Sequence, residues 1–366
     1  MLRNIQALRG IACLLVVYYH VAGWENLVWP RVRLFYPVRY FGYAGVDLFF
    51  VLSGFILVRS QLASPQRWHA FLRRRAGRIF PTWWAALFTT VILSALVAKQ
   101  SCFGDDWPAE WLAWLTLAPV ADGCRILPVS WSLTYELMFY LAFALVLAMP
   151  RRLAILAIAA WAVAFCVQPE ANVFALKMPF SPFVLEFLAG AFVAWLRPGF
   201  RRWMLPAALA WAVAFVAALP GETPDALGGR IAWRVAAFGP SSALVVAACA
   251  ASEGRWNFPR WLVFLGDASY SIYLFHGIFC VCVLFGTWGM SHAMLPHIAW
   301  LTMMVAGGVG GGVGMYWLVE RQAGRFRRKV VPTPGVESTL TAPPCSAMIF
   351  RTTNSPRPVP CRLVVK

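Results

Sequence analysis

Arg9 and His20 stand eleven residues apart in an otherwise apolar stretch that starts at Leu8. On an α-helix that spacing is about three turns, so the two side chains face the same way, roughly 16 Å apart along the axis. An ionisable side chain deep in a membrane helix is costly and reads as functional by default. A cation near one membrane surface and an imidazole near mid-bilayer join an anion grip to a proton handler. That is the equipment of an enzyme working inside a bilayer.

Further polar groups sit in or beside apolar runs. Asp47 lies in Gly45-Val46-Asp47-Leu48-Phe49-Phe50, and Ser132 and Glu136 lie four apart, on one helix face, with Tyr140 one turn on. Glu186 and Glu320 occupy later apolar segments, and Asp267, Ser269, Tyr270, Tyr273 and His276 crowd the start of another. Plainer roles compete. Asp47 can salt-bridge a neighbouring helix, and Ser132 can bond back to its own backbone. Glu136 is harder to set aside, because a lone carboxylate in lipid is expensive. His276 reads as functional or as the partner of a functional carboxylate.

The densest basic cluster is Arg73-Arg74-Arg75-Ala76-Gly77-Arg78. Membrane topology alone tolerates such a run. Arg75 and Arg78 nevertheless meet on one helix face, and guanidinium forks suit phosphate. With Arg9 at the same level, three arginines can clamp a polyphosphate ligand. An acyl carrier with a phosphorylated nucleotide handle, such as coenzyme A, fits that clamp; these residues alone do not name it.

The elements that must position these groups follow from composition. The chain has 366 residues, 60% hydrophobic and 13% charged, against about 25% charged in soluble domains. The fold class is all-α: a polytopic membrane bundle of about ten transmembrane helices. The expected spans are near 8–24, 41–58, 79–98, 129–149, 153–168, 181–196, 203–219, 231–252, 261–285 and 298–318. Continuous apolar runs exclude a barrel, which would alternate. The formal charge of +17 is spread between the runs, which argues against nucleic-acid binding. Arginines concentrate in alternate loops, placing both termini in the cytoplasm, while Asp105, Asp106, Glu110 and Asp122 gather on the other side.

Residues 1–329 read as one transmembrane domain, its first helix an uncleaved span, and 330–366 as a disordered cytoplasmic tail rich in Pro, Ser and Thr. The glycines between Gly307 and Gly314 read as helix packing. Nine cysteines show no metal-type spacing, so no metal site is expected. Cys102 and Cys124 flank one outer loop and can pair in an oxidising periplasm.

Taken together, these motifs resemble the acyltransferase 3 family of integral membrane acyltransferases over roughly 5–321. Leu8-Arg9-Gly10 with His20 is similar to the family's Arg/Lys-x10-His motif, and Gly42-x-x-Gly45-Val46-Asp47 through Phe55 to its second-helix signature. Arg75-x-x-Arg78-Ile79-Phe80-Pro81, Ser130-Trp131-Ser132-Leu133-x-x-Glu136 and Ser269-Tyr270-Ser271-Ile272-Tyr273-Leu274-Phe275-His276 resemble three further elements in family order.

The resemblance implies transfer of an acyl group, often acetyl, from cytoplasmic acyl-CoA to a hydroxyl of a carbohydrate or lipid-linked glycan. Acyl-CoA is then a donor substrate, no cofactor is permanently bound, and the location is the bacterial inner membrane. On that reading Arg9, Arg75 and Arg78 hold the CoA phosphates. His20 acts as general base or accepts the acyl group itself, and Asp47 or Glu136 orients it. Ser132, Ser269, Tyr270 and His276 line the acceptor side or bind the thioester. The competing class is a proton-coupled transporter or a flippase-like carrier of a lipid-linked sugar. No inverted repeat of broken helices supports it, and transport leaves the arginine pair unexplained.

Overall fold

The computed structural model describes residues 2–29, 34–35, 42–97, 107–119, 126–167, 178–196, 206–209, 231–287 and 296–324. Its regular elements are all helical: α1 (Arg3–Val28), α2 (Ala44–Ala63), α3 (Trp68–Val97), α4 (Trp107–Thr116), α5 (Ser130–Ala148), α6 (Arg151–Val167), α7 (Phe183–Trp195), α8 (Ile231–Ala251), α9 (Arg260–Asp267), α10 (Ser269–Thr287) and α11 (His297–Met315). A 3-10 turn at Met178–Phe180 precedes α7, and a π-helical turn at Tyr316–Glu320 prolongs α11.

Among the described residues seven helices are long and apolar enough to cross a bilayer: α1, α2, α3, α5, α8, α10 and α11 with its extension. Each overlaps an expected span, but the span expected at 261–285 is broken at Ala268 into α9 and α10, and only α10 is long enough to cross. Of the other three, α6 has 17 residues and α7 only 13, short of the roughly 20 that a perpendicular crossing needs. Pro182 precedes α7 and Pro198 follows it closely, which limits its length. The third, 203–219, lies mostly outside the described residues. So do Cys102, Cys124, Asp105, Asp106, Asp122 and the tail.

α1 is the axis of the bundle. It packs against α2, α8, α9, α10 and α11. Of its membrane window 67% is buried, against 28% for α3 and for the α11 segment, so α1 is core and those two are peripheral. A helix apolar on every side belongs inside. On α3 the exposed Trp84, Phe88, Ile92 and Leu96 recur every four residues, a lipid-facing stripe.

Close helix approach relies on missing side chains. α2 and α7 cross at Gly54 and Gly190, where an added Cβ would lie 2.0 Å from Phe187 O and 1.9 Å from Val51 O respectively. This seam fixes α2 beside Ser53. On α11, Gly307, Gly308, Gly311 and Gly312 abut α10, as their spacing predicts; a Cβ at any of them would come within 2.9 Å of an α10 atom.

Candidate active site

A cavity of about 770 Å³, its open mouth included, lies between α1, α2, α3, α5 and α10. Arg9, Ser53, Arg75, Arg78, Ser132, Glu136, Tyr140, Ser269, Tyr270 and Tyr273 contribute its polar groups, and Phe49 is among its apolar ones. The bundle thus brings together nine residues singled out from sequence, although they are spread over more than 250 positions. Ser132, Glu136 and Tyr140 share one face of α5, as the fourfold spacing predicts.

Charge is the distinguishing property of this cavity. Arg9 is buried, and its hydrogen-bond partner is Gln6 Oε1, at a long 3.5 Å. Gln6 is held in turn by donating to Asp267 Oδ1 at 2.6 Å. The Arg75 guanidinium lies over the rings of Phe71 and Tyr140, at 5.5 and 5.1 Å, which attracts it without neutralising it. None of the three guanidiniums has an ion-pair partner among the described residues. Glu136 is the carboxylate in the lining, and its Oε1 accepts from Ser53 Oγ at 3.2 Å and from Tyr140 OH. Three cations against one anion leave the cavity at formal +2. Buried charge without a counter-ion is expensive, so the geometry calls for an anionic ligand.

Other lining groups are partly or wholly committed. Ser132 Oγ donates to Val129 O at 3.2 Å, the expected back-bond, and also meets Tyr273 OH at 2.6 Å. Tyr270 OH donates to Ile79 O at 2.9 Å, next to Arg78. Ser269 Oγ is buried with no hydrogen-bond partner, so it remains available to a ligand. Beside it, Ser271 Oγ donates to Glu320 Oε2 at 2.6 Å, a contact set up by the π-helical turn; such turns are frequent at functional sites.

The imidazoles lie just beyond the cavity rather than on its wall. His276 Nε2 is 3.1 Å from His20 Nδ1, and their ring centroids are 4.9 Å apart. Tyr273 joins this pair to the cavity, since it lines the wall and its ring lies 6.3 Å from that of His276. His276 therefore does not line an acceptor surface as the sequence suggested; it is fully buried against His20.

The expected carboxylate partner of His20 is also corrected. His20 Nδ1 faces Val16 O at 2.9 Å and His276, and neither Asp47 nor Glu136 hydrogen-bonds to it. Asp47 is fully buried and accepts from Arg234, whose Nη2 is 2.7 Å from Oδ2 and whose Nε is 3.0 Å from both carboxylate oxygens. A charged guanidinium fork is a stronger partner for a carboxylate than a neutral ring. Arg234 also donates to Tyr43 O at 3.2 Å and is flanked by the rings of Tyr43, Trp131 and Phe183. Arg234 is not among the residues singled out from sequence. Its signal was an arginine inside the apolar run Ile231-Ala232-Trp233-Arg234-Val235.

Asp47 is thus the structural salt bridge that was its plainer role. Asp47→Ala is expected to destabilise by up to about 3–5 kcal/mol, because it removes the carboxylate hydrogen-bonded to a buried guanidinium and leaves Glu186 as the remaining nearby carboxylate. Asp47→Leu combined with Arg234→Leu should lose much less. Thermal unfolding in detergent checks this; an Asp47→Ala protein of full stability would place Asp47 in the chemistry instead.

A helical membrane bundle with an electropositive cavity beside paired imidazoles has the outline of an enzyme that transfers a group from an anionic carrier. Sequence comparison agrees. The acyltransferase domain family profile, acyltransferase 3, matches residues 2–319, and the chain belongs to that family. It is similar to the exopolysaccharide production protein ExoZ of Rhizobium meliloti (strain 1021), with 28% identity covering 78% of this chain and 92% of ExoZ. It is similar also to BcsY of Komagataeibacter xylinus, which carries the name of a membrane-bound transacylase. That match has 27% identity and covers 87% of this chain and 82% of BcsY. No solved structure matches the chain significantly. The protein is an integral membrane acyltransferase.

Proposed function

We propose that the protein takes an acetyl or similar short acyl group from cytoplasmic acyl-CoA and esterifies a hydroxyl of an exopolysaccharide precursor or another lipid-linked glycan. The observation that carries this reading is the trio Arg9, Arg75 and Arg78, which line one cavity without an ion-pair partner among the described residues. Coenzyme A brings a pyrophosphate and a further phosphate, a charge suited to a +2 cavity. The carbohydrate acceptor rests on the printed name of ExoZ.

The positive-inside bias supports a topology with both termini and the Arg75–Arg78 end of α3 on the cytoplasmic side, and the reading takes the membrane as the bacterial inner membrane. Phosphates then bind at the cytoplasmic mouth, and the pantetheine arm extends along α1. The rise from Arg9 to His20, roughly 16 Å, is comparable to the length of that arm. The acyl end must pass Phe49 and Tyr273, so rotation of these rings is the motion the mechanism requires.

His20 then serves in one of two ways. As general base it removes the sugar hydroxyl proton while the oxygen bonds to the thioester carbonyl carbon. The C–S bond breaks, and the proton returns to the departing thiolate. As nucleophile it takes the acyl group from the thioester and passes it to a hydroxyl on the outer side. Both routes give an ester and free CoA.

The test is purified protein in nanodiscs with labelled acetyl-CoA and a lipid-linked glycan acceptor. Thioester turnover with label on the glycan, in the absence of any ion gradient, is the expected result. Movement of glycan across the bilayer with the thioester intact would instead favour a carrier.

A further inference from the structure

We infer that His276 is a positioning residue, which accepts the Nδ1–H of His20 and so leaves His20 Nε2 bare as the reacting atom. This assignment deepens the acyl-transfer reading and rests on it for its catalytic meaning.

Four hydrogen-bond contacts fix the tautomers of the two rings. His276 Nδ1 lies 3.0 Å from Ile272 O and 2.8 Å from Tyr273 O. Carbonyl oxygens only accept, so His276 Nδ1 carries the hydrogen and, in the neutral ring, Nε2 holds a lone pair. That lone pair faces His20 Nδ1 at 3.1 Å. Two lone pairs at this distance would repel, so His20 Nδ1 carries a hydrogen too. Val16 O, 2.9 Å from the same nitrogen, demands the same assignment, since it also can only accept. The hydrogen is shared between the two acceptors, and the proton-free nitrogen of neutral His20 is Nε2. It has no hydrogen-bond partner among the described residues.

The arrangement follows the logic of a nucleophile–base–orienter triad with a neutral orienter. A carboxylate would fix the ring and also add negative charge. His276 fixes ring and tautomer without it, and its complete burial excludes water that might substitute. During transfer the hydroxyl proton passes to His20 Nε2, the new C–O bond forms, the C–S bond breaks, and Nε2 gives its proton to the thiolate. The Nδ1–H stays on His20 throughout. In the covalent route the same Nε2 lone pair attacks the carbonyl carbon and the thiolate leaves; the glycan hydroxyl oxygen then attacks the acyl carbon, the C–Nε2 bond breaks, and the hydroxyl proton passes to the freed Nε2 and from there to the thiolate.

The test combines nitrogen NMR of histidine-labelled full-length protein in nanodiscs with steady-state kinetics. His20→Ala assigns the His20 signals among five histidines. Wild type is expected to show His20 as the neutral Nδ1–H tautomer. His276→Leu should lose that tautomer and lower kcat about 100-fold or more, with KM for acetyl-CoA within about twofold, the pattern of a misplaced base. His276→Gln places an acceptor oxygen near the lost Nε2 and should retain a tenth or more of wild-type kcat. A wild-type His20 protonated on Nε2 overturns the inference even if the leucine variant fails to fold. So does a folded His276→Leu with unchanged kcat. Absence of any acyl transfer by wild type would count against the enzyme reading, while the tautomer would still be read independently.

Discussion

Replacing His20 by alanine is expected to lower acyl transfer by at least about 10²–10⁴-fold without loss of folded protein from the membrane. The range is what a positioned general base contributes; removal of a nucleophile should abolish turnover. Folding should survive because His20 is half-buried at the edge of the α1–α10 contact, and its side chain makes two hydrogen bonds. KM for acetyl-CoA should change little, since Arg9 lies roughly 16 Å away along α1 and Arg75 and Arg78 are on another helix, α3. Incubating wild type with labelled acetyl-CoA and no acceptor separates the two chemistries. A covalent route accumulates acyl-enzyme that is missing in His20→Ala, whereas a general base accumulates none. Retained turnover in His20→Ala would remove His20 from the reaction.

The second large effect is on donor binding. Arg75→Ala with Arg78→Ala is expected to raise KM for acetyl-CoA about 10- to 100-fold or more, given about 1.5–3 kcal/mol for a hydrogen bond to a charged group. The two are neighbours on one face, so their effects should not add simply. The lysine pair should recover only part of the affinity, because an ammonium keeps the charge but loses the bidentate fork. Affinity should also weaken with salt less steeply in the double variant than in wild type. An unchanged KM would show that the cavity's charge serves some other anion.

Residues spaced along single helices were the legible part of this site. Arg75 with Arg78, and Ser132 with Glu136 and Tyr140, lie together because helical periodicity puts them on one face. The meeting of Arg9 with Arg75 and Arg78 was legible from their common level at the membrane surface, whereas that of Ser269 and Tyr270 with these faces was legible only through the family resemblance. Pairings across helices were not legible. Asp47 meets Arg234 across 187 positions, and His20 meets His276 across 256. Their contact depends on how α2 and α8, or α1 and α10, rotate about their axes. Glycine seams such as Gly54 with Gly190 set that rotation, and a single sequence does not reveal which glycine meets which helix.

The bundle itself was legible for a similar reason. Apolar length marks a span whatever it packs against, so all seven long helices fall where hydropathy predicts. The short α6 and α7 are different. Apolar residues continue to their ends, but α7 spans only Phe183–Trp195, between Pro182 and Pro198 in the sequence, and composition alone exaggerates its reach.

The most direct test of the account is a cryo-EM structure of the protein in nanodiscs with a non-hydrolysable thioether analogue of acetyl-CoA. The expected result places the phosphates against the guanidiniums of Arg9, Arg75 and Arg78. The carbonyl carbon should lie about 3–3.5 Å from His20 Nε2, with Phe49 and Tyr273 turned aside. Phosphates bound away from these arginines, or an acyl end stopped on the far side of Tyr273 from His20, would contradict it.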